Sequence, residues 1–315
     1  MATVTSQVVT QLQRSIARAI FGKEDVIQLA LITLLARGHL LIEDVPGVGK
    51  TTLAQALAKS FHCSFQRIQF TSDLLPSDVL GVSVYNPESR EFEFRSGPVF
   101  ANVVLADEIN RTTPRTQSAL LEAMNEAQVT VDGRTLALPQ PFLVIATQNP
   151  VEHHGTYPLP QSQLDRFLMR IKMGYPSHEP ERQILRSRTT DDSVEKLEPI
   201  ADVADVLLMQ ESVTRVKVDN SLHDYALDIV NRTRNSDQLS LGVSPRGTLM
   251  LQRAAQSRAF LEGREYCLPD DFKQLAVAVF SHRVIASTRQ ASLQKKAELT
   301  ETVLREIVDS VRVPL

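Results

Sequence analysis

Residues 44–51 read DVPGVGKT, set between the apolar run HLLIE at 39–43 and the helix-forming segment KTTLAQALAKSF that begins at Lys50. A strand, a glycine-rich turn and a helix start, in that order, make a phosphate seat: the turn presents backbone N–H groups and the helix end is electropositive. Gly47 and Gly49 can adopt the conformations that aim amides at phosphate oxygens. The candidate nucleotide-binding segment is therefore Val45, Pro46, Gly47, Val48, Gly49, Lys50, Thr51 and Thr52. Lys50 would reach the β and γ phosphates of ATP or ADP, and the Thr51 hydroxyl would reach Mg²⁺. Loops of this kind ordinarily open on glycine, and here Asp44 stands in the position farthest from the lysine, where a side chain can point away from phosphate. The competing reading is a glycine-rich turn that only connects two elements.

Outward from the loop, further β-rich runs alternate with helical patterns: SFQRIQF at 64–70, NVVLA at 102–106, FLVIAT at 142–147 and FLMRIK at 167–172. With HLLIE they predict a five-stranded parallel α/β sheet, and their apolar character predicts burial on both faces. Two insertions, about 71–99 and 127–140, read as β-hairpins. The first holds VSVYNPESREFEFR around an Asn-Pro-Glu-Ser turn, and the second holds QVTVDGRTLAL around Asp132-Gly133, a strong two-residue hairpin signal.

After Pro176 helical signals dominate. DDFKQLAVAVFSHRV places Phe272, Leu275, Ala276, Val279 and Phe280 on one helical face. Ser221 and Ser244 are expected as N-caps, with Pro245 in a first turn. The expected division is an αβα core over residues 1–176 and a smaller all-α domain over 177–315.

The strand NVVLA runs into Asp107-Glu108. A nucleotide hydrolase needs one carboxylate to hold Mg²⁺ and another to orient and deprotonate water, and adjacent carboxylates at a strand end suit those two tasks. The strand FLVIAT runs into ATQNP, which puts Asn149 at the same sheet edge, where ligands of parallel sheets bind; it is a candidate for holding the attacking water, and equally an ordinary Asn-Pro turn residue. Arg166 precedes the last strand in PLPQSQLDRFLMRI, and GVSPRGTL puts Arg246 in the first turn of a capped helix. Arginine suits a transition state with charge on γ-phosphate oxygens, although a lone arginine is more often a surface ion-pair former.

Other classes are set aside by what the chain lacks. A net charge of -3, with no basic block, gives no signature of non-specific nucleic-acid binding. Cys63 and Cys267 stand far apart in no metal pattern, which fits a reducing compartment. The first twenty residues do not read as a secretory leader. The window VIQLALITLLARGHLLI is interrupted by Gln28, Thr33, Arg37, Gly38 and His39, short of the ~20 apolar residues of a membrane span; a cytoplasmic protein is expected. His153-His154 read as a polar loop rather than a metal pair.

Taken in order, DVPGVGKT, VVLADEINR, ATQNP, LPQSQLDRF and GVSPR resemble the AAA+ ATPases, and FTSDLLPSDVLG with PLPQSQLDRFLMRI resembles the MoxR branch. The resemblance runs over nearly the whole chain. It implies an αβα P-loop domain followed by an α-helical lid, and a homo-oligomeric hexameric ring with nucleotide between subunits. It makes Lys50 and Thr51 the Walker A pair, Asp107 and Glu108 the Walker B pair and Asn149 sensor 1. Arg166 becomes an arginine finger acting in trans, and Arg246 a sensor 2 acting from the lid in cis. SIARAIFGKED resembles the segment that seats adenine, which adds Phe21 and Gly22 as nucleotide-binding candidates. The two hairpins match inserts that face a pore or a partner, or else they cap the core. The implied activity is Mg²⁺-dependent ATP hydrolysis that remodels or activates partner proteins, some with von Willebrand factor A domains. Alternatives are a nucleotide-gated binding module with little turnover and a ring motor of magnesium-chelatase or helicase type.

Overall fold

The computed structural model describes residues 2–149, 155–187, 194–287 and 293–314. In chain order the first part contains α1 (Ala2–Ala17), α2 (Glu24–Leu35), β1 (Leu40–Glu43), α3 (Lys50–Ser60), β2 (Phe65–Gln69), α4 (Pro76–Leu80), β3 (Gly81–Asn86), β4 (Glu91–Ser96), β5 (Val103–Asp107) and α5 (Pro114–Glu126). It continues with β6 (Gln128–Val131), β7 (Arg134–Ala137), β8 (Leu143–Gln148), α6 (Gln161–Leu164) and β9 (Met169–Ile171). The remainder is α7 (His178–Ser187), α8 (Val203–Thr214), α9 (Asn220–Arg234), β10 (Leu239–Leu241), α10 (Pro245–Leu261), α11 (Pro269–Phe280), β11 (Ile285–Ala286) and α12 (Leu293–Ser310).

All five expected strands join one parallel sheet, in the order β2-β5-β8-β1-β9. Side chains alternate across it. Leu40, Ile42, Val103, Leu105, Leu143 and Ile145 enter a core with α1, α2 and α3, and that core continues without a break into α8 to α12. Leu41, Val104, Ala106, Val144 and Ala146 enter a second core with α5, Val79 and Phe167 on the other face. Burial on both faces explains why these strands read as continuous apolar runs. Because the strands are parallel, every C-terminal end opens on the same edge.

Both hairpins form at the expected places. β6 and β7 close over Asp132 and Gly133, each with positive φ (51° and 74°), as a two-residue turn of matching twist requires. β3 and β4 pair from Gly81 with Ser96 to Asn86 with Glu91. Among the later helices, α11 buries Phe272, Leu275, Ala276, Val279 and Phe280 as its spacing predicts. A short antiparallel pair, β10 with β11, is added to this helical part; strands of three and two residues leave no periodic trace in the sequence.

One cap is corrected. Ser244 does cap α10, its hydroxyl accepting from the Gly247 amide at 3.2 Å with Pro245 next in line. Ser221 does not cap α9. Asp219 takes that role, its carboxylate accepting from the Ser221 amide at 2.9 Å and the Ser221 hydroxyl at 2.7 Å, because the helix starts at Asn220, two residues earlier than a Ser221 cap would allow. No helix among the described residues is long and apolar enough to cross a membrane.

Candidate nucleotide site

β1 ends at Glu43, and the chain turns through Gly47 (φ 83°) and Gly49 (φ 97°) into α3. Leu53 is the first α3 amide bonded back within the helix, to Gly49 O at 3.0 Å; the amides before it are the helix's unpaired donors. A Cβ built on Gly47 would meet nothing within 4 Å, so the space in front of the loop is open. Lys50 Nζ meanwhile donates to Asp44 O at 2.7 Å. Its pKa is lowered by burial, against which Asp44, Asp107 and Glu108 pull upward.

Asp44 answers its own anomaly. Its carboxylate turns away from the loop mouth: Oδ1 accepts from the Val45 amide at 2.8 Å, and Oδ2 accepts from the amides of Met173 and Gly174 at 2.7 and 2.5 Å. The residue that breaks the formal motif ties the loop to the end of β9. The Val45 amide is engaged and Pro46 has none, so the open amides of the loop start at Gly47.

Gly47, Val48, Gly49 and Thr52 line a cleft of about 940 Å³ that also holds Phe21, Lys23, Pro176 and Ile184. Gly22 is not in its wall. A Cβ there would come within 2.5 Å of Pro180, so Gly22 lets two segments approach. Lys23 Nζ bonds Met173 O and Tyr175 O at 2.5 and 2.9 Å, closing the same knot.

At the end of β5, Thr147 organises both acids. Its hydroxyl donates to Asp107 Oδ1 at 2.6 Å and accepts from the Glu108 amide at 2.8 Å. Glu108 sits in the left-handed region (φ 56°, ψ 48°), a conformation that costs a non-glycine residue on the order of 1 kcal/mol and is characteristic of functional sites. Arg67 grips Asp107 Oδ2 through NH2 (2.6 Å) and Nε (3.2 Å), while Gln69 and Arg111 each donate to Glu108 Oε2 at 3.1 Å. Asn149, buried at 8% exposure, leaves β8 beside them. His153 and His154 lie outside the described residues.

The two arginines go elsewhere. Arg166 donates to Leu121 O and Arg246 NH2 donates to Asn125 Oδ1 at 2.7 Å, both near the C-terminal end of α5. That end lies where the sheet begins: His39 Nε2 reaches Met124 O at 2.9 Å, and Leu168 N bonds His39 O at 2.8 Å. Five strand residues at about 3.3 Å each separate His39 from Asp44 by roughly 16 Å, well beyond the reach of an arginine side chain. The expected cis placement of Arg246 over Lys50 of the same chain is therefore corrected, because the lid helix α10 enters at the opposite edge of the sheet. Arg166 and Arg246 are close enough that the charge of Arg246, after burial, helps to lower the Arg166 pKa.

Residues 39–169 match the family model described as the ATPase family associated with various cellular activities (AAA), and residues 231–307 match the AAA lid domain. Chaperone MoxR1 of Mycobacterium tuberculosis is 40% identical over 95% of this chain and 80% of its own length. The chain belongs to the MoxR family of AAA+ ATPases. The uncharacterized protein YeaC of Bacillus subtilis is 51% identical, covering 95% of this chain and 93% of that one. A crystal structure of a candidate ATPase from Cytophaga hutchinsonii superposes with a TM-score of 0.90 at 36% identity, over 100% of this chain and 97% of that one.

Within this MoxR-family site the sequence reading passed over Arg67, Gln69 and Thr147. The signal was present. In SFQRIQF, Ile68 enters the core, so alternation puts Arg67 and Gln69 together on the opposite face, paired in register with Leu105 and Asp107 on β5.

Proposed function

We propose that this chain is an Mg²⁺-dependent ATPase that assembles as a ring, with a hexamer expected, and uses turnover to remodel or activate partner proteins in the cytoplasm. The observation that carries the reading is the separation of its charged groups. Lys50, Asp107, Glu108 and Asn149 converge at one sheet edge while Arg166 and Arg246 sit together at the other, so a second copy is needed to complete the site. Leu249, one turn beyond Arg246 in α10 and 60% exposed, supports an apolar contact beside them. The chaperone name of the Mycobacterium relative supports protein clients, and the proposal extends them to proteins with von Willebrand factor A domains.

In this reading the amides from Gly47 to Thr52 cradle the phosphates, and Lys50 leaves Asp44 O for the β and γ oxygens. Glu108 accepts a proton from the attacking water that Asn149 orients, and Thr147 keeps the Glu108 backbone in its left-handed turn. Thr51 and Asp107 offer the hydroxyl and carboxylate oxygens that Mg²⁺ prefers, and Asp107 already neutralises a cation, the Arg67 guanidinium at 2.6 Å. Bound Mg²⁺ would supply charge neutralisation at the phosphate oxygens. Arg166 and Arg246 of a neighbouring copy then meet the charge that develops on the γ-phosphate.

The test is turnover per chain over a rising protein concentration, with assembly followed by light scattering. Specific activity that climbs with assembly is expected; activity independent of assembly would sink the shared-site reading. One observation favours the low-turnover binding module instead: Asp107 and Glu108 are both engaged by side chains of β2. Tight ATP binding with negligible hydrolysis by the assembled protein would select that reading.

A further inference from the structure

Between the two outward-facing arginines lies a third that faces inward. Arg283, with a side chain 1% exposed, donates through Nε to Asp165 Oδ1 at 2.8 Å and through NH2 to Asp165 O at 3.2 Å. The same guanidinium reaches the carbonyls of Phe167, Leu168 and Val279. Asp165 is the residue before Arg166, and its carboxylate also accepts from the Ser244 hydroxyl at 3.2 Å, two residues before Arg246. On the α10 side, Gly247 follows Arg246 directly. A Cβ there would come within 2.9 Å of Arg283 Cδ and 2.7 Å of Val243 Cγ1, so the missing side chain makes room for the Arg283 stem.

Arg283 thus bonds the chain neighbour of Arg166 and packs against the chain neighbour of Arg246. A buried guanidinium with five fixed donors is suited to this: its planar fork sets distance and angle together, which a lysine ammonium does not. Its charge is balanced by Asp165, so Arg166 and Arg246 keep their own charges uncommitted to that carboxylate.

We propose that Arg283 is a positioning residue that fixes Arg166 and Arg246 at one spacing, so that both reach the neighbouring copy's γ-phosphate in the same step. The proposal rests on the shared-site reading above. It also makes β9, α10 and the segment after α11 a single block.

The test uses the full-length assembled protein. In Arg283→Lys, kcat is expected to fall at least tenfold while KM and the binding of a fluorescent ATP analogue stay within twofold, since the variant's own phosphate loop is untouched. Mixed one to one with Lys50→Ala chains, which have no working loop but intact arginines, the variant should regain turnover, because its clefts are then served by sound neighbours. A change that merely loosened the fold would not be rescued in this way. If Arg283→Lys fails to fold, Ser244→Ala cuts only the bond to Asp165 and the cap, and Ser244→Thr should restore the lost rate. Wild-type kcat in a folded Arg283→Lys protein, or a loss that mixing does not rescue, overturns the proposal. Wild-type turnover in Arg166→Ala would instead bring down the shared-site reading itself, a result distinguishable because it does not involve Arg283.

Discussion

At the edge where the parallel strands end, Lys50, Asp107 and Glu108 remain half exposed around open space, and the unpaired amides of α3 point into it. At the edge where the strands begin, His39 and Arg283 are buried and bonded on both sides, and Arg166 and Arg246 lie nearer the surface beside them. One edge is a loose cradle for a ligand. The other is a stiff mount for two cations. In the shared-site proposal, this difference gives a single chain two complementary halves of a site on opposite faces, a geometry suited to repetition around a ring.

The strongest way to break this comparison is Arg166→Ala. Loss of an arginine finger is expected to lower kcat by ~10³-fold or more with ATP affinity kept, and Lys50→Ala chains should restore turnover when mixed with it. Affinity that falls along with rate would place Arg166 at its own chain's loop and undo the two-edge arrangement.

Glu108→Gln addresses the open edge. A lost general base is expected to cost ~10² to 10⁴ in kcat, leaving a chain that binds ATP and holds it through assembly. Turnover close to wild type would remove Glu108 from the chemistry.

The stiff edge has its own pH signature. His39 Nδ1 accepts from the Val144 amide at 3.0 Å, which assigns its proton to Nε2 facing Met124 O; burial, more than any other cause, lowers its pKa from 6.5 to about 4. An unfolded chain therefore binds a proton at His39 that the folded chain refuses. The stability His39 contributes is full above about pH 6.5 and is lost as pH drops toward 4, ~3 kcal/mol for this group. Urea midpoints between pH 7 and pH 4.5 should show the slope, and His39→Gln, which keeps one acceptor and one donor, should flatten its share. An unchanged slope in that variant would mean the edge is less dry than its geometry implies.

The smallest effect expected is at Asp44. Asp44→Gly restores the usual loop opening but frees three amides, and the loss of about 1 kcal/mol of loop order should raise the ATP Kd roughly fivefold with kcat at saturation retained. A Kd below wild type would show that the tie to Met173 and Gly174 restrains the loop from its bound shape.

Much of this molecule was readable before any coordinates. The five strands, both hairpins and the apolar face of α11 followed from periodicity, because burial of alternate residues is a local pattern with a global cause. The placement of Lys50, Asp107, Glu108 and Asn149 at one edge was likewise legible, since parallel strands carry whatever follows them there. The cap of α9 was misplaced by two residues, as Asp219 and Ser221 are both competent and only the path of the chain chooses. Arg67, Gln69 and Thr147 were passed over, because each matters through a partner far away in sequence.

What the sequence by itself determined is the strand, loop and helix order that builds a phosphate seat, for that depends on neighbours along the chain. Tertiary structure alone decided where the arginines face. Arg246 follows Ser244 and Pro245 in sequence, but its edge of the sheet is set by Ser244 and Arg283 meeting on Asp165, and no local pattern encodes an attachment between residues 79 and 118 positions apart.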